Sequence, residues 1–122
     1  MRTRTCELWT EDEFVFGRFL PNAEVTAVDA HENLAATREL ARGRRMKVVV
    51  DLREVRSQSA DARAVLAGPE ATAVSLAVAL VVGSPLSRVL GNFYLGFNRP
   101  EVPTRLFSSP DDARAWLRSV PE

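Results

Sequence analysis

Residues 46–52 (MKVVVDL) limit the fold of this chain more than any other segment. Three adjacent valines, Val48, Val49 and Val50, show no polar alternation, which is typical of a strand buried on both faces at the centre of a sheet. A second apolar run of this kind, residues 77–82, follows after helical sequence. Two buried strands joined through helical sequence indicate a βαβ unit in an α/β protein.

The composition predicts one domain, residues 1–122, with no net charge. A chain of 122 residues that is 46% hydrophobic can bury one core, whereas two domains would each be too small. Lys plus Arg and Asp plus Glu both number 16. Because this balance gives no field that would attract a polyanion, we expect no nucleic acid among the partners.

The N-terminal residues and the cysteine content predict a cytoplasmic protein. Cys6 is the only cysteine and cannot form an internal disulfide, and a chain with one histidine besides is poorly suited to a structural zinc site. We therefore expect no metal and no cofactor. The sequence turns acidic at Glu7, before the apolar core of a signal peptide could begin. Residues 71–83 form the longest apolar stretch, which is too short for a membrane span.

The first third of the sequence predicts a β-hairpin followed by a helix. Residues 7–10 and 14–19 are rich in strand-forming residues and flank an acidic turn, and residues 23–25 suit a further short strand. Thr26 is expected to be a helix N-cap because Asp29 follows at the capping-box distance. The helix is predicted over residues 27–42, with Gly43 as the residue that ends it.

A serine precedes each of the later helices. The three predicted N-caps are Ser59, Ser84 and Ser109, and proline follows the second and third of them directly. Residues 104–107 are predicted to form a strand before the last helix. The helix that begins after Ser84 carries an apolar stripe expected to face the core, formed by Leu86, Val89, Leu90, Phe93, Tyr94 and Phe97.

The strand-to-helix junctions are the best candidate site. In open α/β sheets, ligands bind beyond the carboxyl ends of parallel strands, near helix N-termini. The junctions at residues 51–59, 83–85 and 108–110 are expected on one edge, because right-handed crossovers make the strands parallel. The polar residues that could converge there, called the rim below, are Arg53, Arg56, Ser57, Ser59, Ser84, Arg88 and Asn92. Two interpretations remain, an anion-binding or protein-docking surface, or caps beside solvated arginines.

No combination of residues in the sequence indicates catalysis. His31 has no serine, cysteine or second histidine at a meaningful spacing, and Asp51 has no neighbouring ligand that would indicate a metal. Catalysis would require His31, Asp51 and a serine to meet in the folded chain. We therefore predict a protein that is not an enzyme.

Five short motifs, taken in order along nearly the whole chain, resemble one group of proteins. They are residues 50–53 (VDLR), 83–88 (GSPLSR), 91–94 (GNFY), 103–107 (PTRLF) and 113–117 (ARAWL). With the leading hairpin, they resemble the SpoIIAA-like fold of STAS and SEC14-like domains, and within it small uncharacterised bacterial proteins. The resemblance implies a mixed β-sheet with packed helices and an N-terminal β-hairpin.

Among STAS domains, the resemblance to anti-sigma factor antagonists is the one that implies a specific site. The resemblance to them implies docking on a kinase-like partner and a switch at a phosphorylated serine that opens the helix after the central strand. Ala60 falls at that serine's position in this chain, so Ser57 or Ser59 would have to replace it. A phosphate there would have Arg53, Arg56 and Arg63 within plausible reach.

These observations predict a non-enzymatic regulatory or protein-interaction module that docks through the rim. The alternative is a small-ligand or lipid-binding domain with an apolar cavity beside Ser84. We expect a protein partner and no membrane span. A homodimer is a further prediction, because the large aromatic residues Trp9, Phe14, Phe16 and Trp116 exceed what a small core readily hides.

Overall fold

The predicted central strand lies in the middle of a five-stranded sheet. The computed structural model describes residues 1–122. Its strands are β1 (Cys6–Glu11), β2 (Phe14–Phe19), β3 (Glu24–Val25), β4 (Met46–Asp51), β5 (Ser57–Gln58), β6 (Ser75–Val81) and β7 (Thr104–Phe107). The main sheet has the order β1-β2-β4-β6-β7, and β3 pairs with β5 in a separate two-stranded sheet.

Five helices surround the main sheet, and the predicted caps begin them. They are α1 (Ala27–Leu40), α2 (Ala60–Leu66), α3 (Pro69–Thr72), α4 (Pro85–Leu95) and α5 (Pro110–Ser119). Thr26 and Asp29 form the expected capping box of α1, while Ser59, Ser84 and Ser109 each accept a backbone hydrogen bond in the first helical turn. No helix combines the length and the apolar character needed to cross a membrane.

The sheet is mixed, with a single antiparallel pair at one edge. β1 and β2 form the predicted hairpin, in which Glu11 pairs with Phe14 across a two-residue turn. Asp12 in that turn has a φ of 54°, a left-handed conformation that aspartate tolerates. β2, β4, β6 and β7 are all parallel to one another. The carboxyl ends of β4, β6 and β7 therefore share one edge.

Alternating side chains divide the core between the two faces of the sheet. On one face, Leu80 and Val82 pack with Leu90 and Tyr94 of α4, in a cluster that α1 and α2 also enter. On the other face, Phe14, Phe16, Val49, Ala77, Ala79 and Val81 pack against Ala113 and Leu117 of α5. A strand covered on both faces is mostly apolar, which explains the run of valines in β4.

The stripe predicted to be the buried face of α4 is mostly exposed. Leu90 and Tyr94 are buried, but Leu86 is 44% exposed, Val89 54% and Phe97 85%. The prediction was wrong because the close approach of α4 to the sheet is made by small residues. Gly91 is so near that an added Cβ would lie 2.7 Å from a methyl of Leu106.

Two predicted boundaries also differ from the structure. α1 ends at Leu40 with Ala41 as its C-cap. Arg42, which has a φ of 55°, therefore takes the position after the cap that was predicted for Gly43. α4 ends at Leu95, and Phe97 lies outside the helix. The strand β5 was not predicted, because its two polar residues pair with β3 rather than with the main sheet.

Candidate functional site

The three junctions lie on one edge of the sheet, as predicted. Asp51 pairs with Val81, and Val81 pairs with Phe107, so the last residues of three parallel strands are in line. The Leu52 amide donates to the Val81 carbonyl at 2.8 Å, and the Val82 amide donates to the Phe107 carbonyl at 2.9 Å. The chain therefore leaves all three strands at the same level.

Arg53 forms an ion pair within the first junction and packs against the second. Its Nε lies 3.0 Å from Asp51 Oδ1 and its Nη2 lies 2.7 Å from Oδ2, and this hydrogen bonding raises the pKa of Arg53. The aliphatic part of Arg53 covers Gly83, where an added Cβ would lie 3.3 Å from Arg53 Cγ. The guanidinium is thus held by the chain's own carboxylate.

The segment of Ser57 and Ser59 is exposed, with one weakly held arginine beside it. The Ser59 hydroxyl accepts the Ala62 N–H at 3.0 Å, and Ser57 pairs with Glu24 between β5 and β3. Arg56 Nε lies 4.0 Å from the Glu24 carboxylate, and both side chains are 69% exposed. An exposed pair of this kind contributes little stability, so Arg56 is available to other anions.

Arg63 is held by contacts within the chain. Its Nη1 donates to the Gln58 carbonyl at 2.7 Å, and its guanidinium lies 4.1 Å from the centre of the Phe93 ring. The hydrogen bond and the cation–π contact hold this arginine on the α4 side of the segment. Of the three arginines expected around a phosphate, Arg56 is the most weakly held.

Ser84 has a structural role at the start of α4. Its hydroxyl accepts the Ser87 N–H at 3.0 Å, while the Ser87 hydroxyl accepts the Ser84 N–H at 2.9 Å in a reciprocal capping box. Arg88 and Asn92 are exposed one helical turn apart, and Arg88 forms no ion pair within the chain. Arg88 and Asn92 are therefore open to a partner.

Sequence reasoning missed the apolar part of this surface. Leu86 and Val89 flank Arg88 on α4 and are about half exposed. The signal that could have located them is the set of buried helix positions, Ser87, Leu90, Gly91 and Tyr94, whose small members mark the face that approaches the sheet. The remaining apolar side chains of α4 must then face solvent.

The residues required for catalysis do not meet. Asp51 is held by Arg53, and the His31 imidazole lies 3.0 Å from the Glu70 carboxylate, between α1 and α3. Ser59 and Ser84 cap helices. The chain also contains no group of three His, Cys, Asp or Glu side chains that could hold a metal ion.

A mostly apolar cavity of about 90 Å³ lies between the sheet and the helices α1 to α4. Its wall includes Leu8, Val50, Leu80, Gln58 and Tyr94, but not Ser84. Tyr94 is ten residues beyond Ser84, roughly 15 Å along a helix. This cavity is therefore not the one predicted beside Ser84, which stays a prediction.

Several solved structures share this architecture. An uncharacterised protein of the DUF3478 family from Shewanella loihica, with a SpoIIAA-like fold, aligns with a TM-score of 0.65 at 14% identity over 96% of this chain and 98% of its own. An anti-sigma factor antagonist from Mycobacterium paratuberculosis aligns with a TM-score of 0.64 at 20% identity over 93% of each chain. Unphosphorylated SpoIIAA, an anti-sigma factor antagonist, aligns with a TM-score of 0.60 at 14% identity over 94% of this chain and 99% of its own.

The chain is therefore an α/β protein with the SpoIIAA-like fold, as the sequence motifs predicted. No curated protein matches it. Within this fold class it belongs to the DUF7793 family, described as a domain of unknown function, whose model matches residues 8–121.

Proposed function

We propose that this chain is a regulatory domain that docks on a partner protein through the rim and catalyses no reaction itself. The observation that carries the proposal is the alignment of Asp51, Val81 and Phe107, which gathers the ends of three parallel strands on one edge. Two of the solved structures with this fold are anti-sigma factor antagonists, which supports a regulatory role.

The chemistry of the rim favours a partner with an acidic surface around an apolar contact. Arg56 is weakly held and Arg88 has no intramolecular ion pair, so both can bind carboxylates of a partner. Leu86 and Val89, three residues apart on α4, add exposed apolar side chains to this surface. A desolvated apolar centre with charged residues around it is the arrangement that gives most protein interfaces their affinity.

Phosphorylation of Ser57 or Ser59 would regulate this contact. Both side chains are exposed, and both follow Arg56 within three residues in the sequence. A phosphate adds close to two negative charges, which Arg56 would pair with. The modification would therefore withdraw one cation from the surface and repel an acidic partner.

Photo-crosslinking in the native host tests the docking surface. A benzophenone amino acid is placed at Val89 in the rim face of α4, and in a control protein at Arg44, which precedes β4 at the opposite edge of the sheet. We expect one discrete protein adduct from position 89 and none from position 44. Adducts of equal yield from both edges, or from neither, would contradict the proposal.

Matched charge reversals then test the role of the arginines. Arg88→Glu is expected to lower the yield of the adduct from position 89 by about tenfold, because it places like charges across the interface. Arg44→Glu makes the same chemical change at the far edge and is expected to leave the yield unchanged. An adduct whose mass is twice that of the chain would identify the partner as a second copy.

A further inference from the structure

The cavity below α4 contains one buried polar group without a partner. Gln58 is 5% exposed, and its Nε2 forms no hydrogen bond. The other polar atoms of this residue are occupied, since Oε1 accepts the Tyr94 hydroxyl at 2.7 Å and the backbone carbonyl accepts Arg63 Nη1. With Oε1 in this contact, Nε2 is left without a partner in a residue that lines the cavity.

A buried donor without an acceptor is unusual in a folded protein. More than nine tenths of buried polar groups find a partner, and leaving one without a partner costs free energy. Gln58 could turn its amide to solvent only by breaking the hydrogen bond with Tyr94. A molecule that offers an acceptor inside the cavity would relieve this cost.

The remaining wall of the cavity is uncharged. None of the residues that line it is Asp, Glu, Lys, Arg or His. Its two weak acids stay protonated, because burial raises the pKa of Cys6 to about 12 and raises the pKa of Tyr94 further still. Asn33 and Thr37 also line it, but Asn33 Nδ2 donates to Thr5 and the Thr37 hydroxyl donates to the Asn33 carbonyl.

We propose that this cavity binds a small uncharged organic molecule whose one hydrogen-bond acceptor takes a bond from Gln58 Nε2. The cavity of about 90 Å³ is smaller than the engineered cavity of about 150 Å³ that accepts benzene. It therefore admits a compact molecule such as a short-chain ketone, aldehyde or alcohol. An ionised group is excluded, because no charge in the wall would offset its desolvation.

The site differs from the rim but is joined to it through the chain. Gln58 lies in β5 between Ser57 and Ser59, whose side chains face solvent. A molecule held at Nε2 would fix the position of β5 and thus of both serines. This proposal stands on the cavity and its amide, and it holds whether or not the rim binds a protein.

Three probes of similar size and shape test the site on the whole protein. Acetone has an acceptor, isobutene has the same shape without one, and isopropylammonium carries a charge. Binding is followed by methyl and amide shifts in two-dimensional NMR titrations at millimolar probe. We expect acetone to shift methyls of the cavity wall, such as those of Leu8 and Leu80, and the Gln58 side-chain amide. Its affinity should exceed that of isobutene at least several-fold, and isopropylammonium should cause no shift there.

Two variants distinguish the contribution of the Gln58 donor from that of the volume of the cavity. Gln58→Met keeps the length of the side chain without the donor and is expected to abolish the preference for acetone. Gly17→Val adds two methyls to the wall, and its Cβ fits because the nearest atom would be Cys6 Sγ at 3.6 Å. This second variant is expected to weaken binding of both uncharged probes at least several-fold.

Opposite results would overturn the proposal. A cavity that holds only ordered water would give no localised shift with any of the three probes. Equal affinity for the two uncharged probes in the unaltered chain would exclude a role for the Gln58 donor. If Gln58→Met fails to fold, the comparison of probes and the Gly17→Val variant decide the outcome.

Discussion

Asp51 and Arg53 form an ion pair in which the acid is buried and the base is half exposed. The Asp51 side chain is 4% accessible and that of Arg53 is 43% accessible, with 2.7 Å between Oδ2 and Nη2. Arg53 lies two residues after Asp51, and the chain turns after Leu52. The guanidinium can therefore fold back over the end of β4. Arg53 was predicted to take part in docking because of its charge, and it also stabilises the structure of the rim.

We predict that Arg53→Ala lowers the free energy of unfolding by about 1–2 kcal/mol, because it leaves the Asp51 carboxylate buried with only the backbone N–H of residue 53 as a donor. Urea denaturation at neutral pH measures this loss. Arg88→Ala is the matched control, since Arg88 is exposed and unpaired, and it should change the free energy of unfolding by less than about 0.5 kcal/mol. Equal effects of the two variants would show that the pair has no structural role.

The lowered pKa of Asp29 predicts that the protein loses stability at acidic pH. Its carboxylate accepts hydrogen bonds from Arg4 and from the backbone and hydroxyl of Thr26, and the Arg4 hydrogen bond is the main reason that its pKa falls to about 2 from an ordinary 3.8. Because the folded pKa lies below the unfolded value, this stabilisation is complete above about pH 4. It should be lost as the pH falls from about 4 to about 2.

Asp29→Asn isolates this effect, since asparagine keeps an oxygen for the Thr26 N–H but carries no charge. We expect the variant to lose about 1–2 kcal/mol at neutral pH. The difference from the unaltered chain should shrink towards zero as the pH approaches 2, which urea denaturation at several pH values would measure. A difference that does not depend on pH would argue against a charged Arg4–Asp29 contact.

Gly91 should not tolerate a methyl group. An alanine Cβ would lie 2.7 Å from Leu106 Cδ2 and 3.1 Å from Val82 Cγ1, so α4 or its neighbours must shift. We expect Gly91→Ala to lower stability by about 1 kcal/mol, because overpacking outweighs the gain in helix propensity. Asn92→Ala at the next, exposed position should be neutral or slightly stabilising. Thermal unfolding of both variants compares them.

Cys6 should be unreactive in the folded chain. It is 3% exposed, and burial raises the pKa of its thiol to about 12, so almost no thiolate exists at neutral or mildly alkaline pH. We expect a disulfide reagent such as DTNB to modify the protein at least a hundredfold more slowly in buffer than in denaturing urea. Fast modification of the folded protein would indicate that β1 separates readily from its neighbours.

Local sequence signals predicted the features of the fold that depend on neighbouring residues. The valines of β4, the capping box of Thr26 and Asp29 and the serine at Ser84 act within one strand or one helical turn, so their positions follow from the sequence. The sequence also predicted that the carboxyl ends of the strands share one edge, because right-handed crossovers make the strands parallel.

Features that depend on contacts between distant segments were not predicted. The inward face of α4 is set by how closely Gly91 approaches Leu106, and apolar residues alone do not reveal that approach. The cavity depends on Gln58 meeting Tyr94 across 36 residues of sequence. The argument for a homodimer from aromatic residues also loses support, since Phe14 and Phe16 are buried. Self-association stays a prediction without that argument.

The placement of α5 has a consequence for the newly made chain. All five strands of the main sheet leave the ribosome before α5, and this helix contributes Ala113 and Leu117 to the cluster that buries Phe14, Phe16 and Val49. Until it docks, an aromatic surface is open to other nascent chains and to chaperones. Biosynthesis, rather than the finished fold, is therefore the stage at which this molecule is most exposed to aggregation.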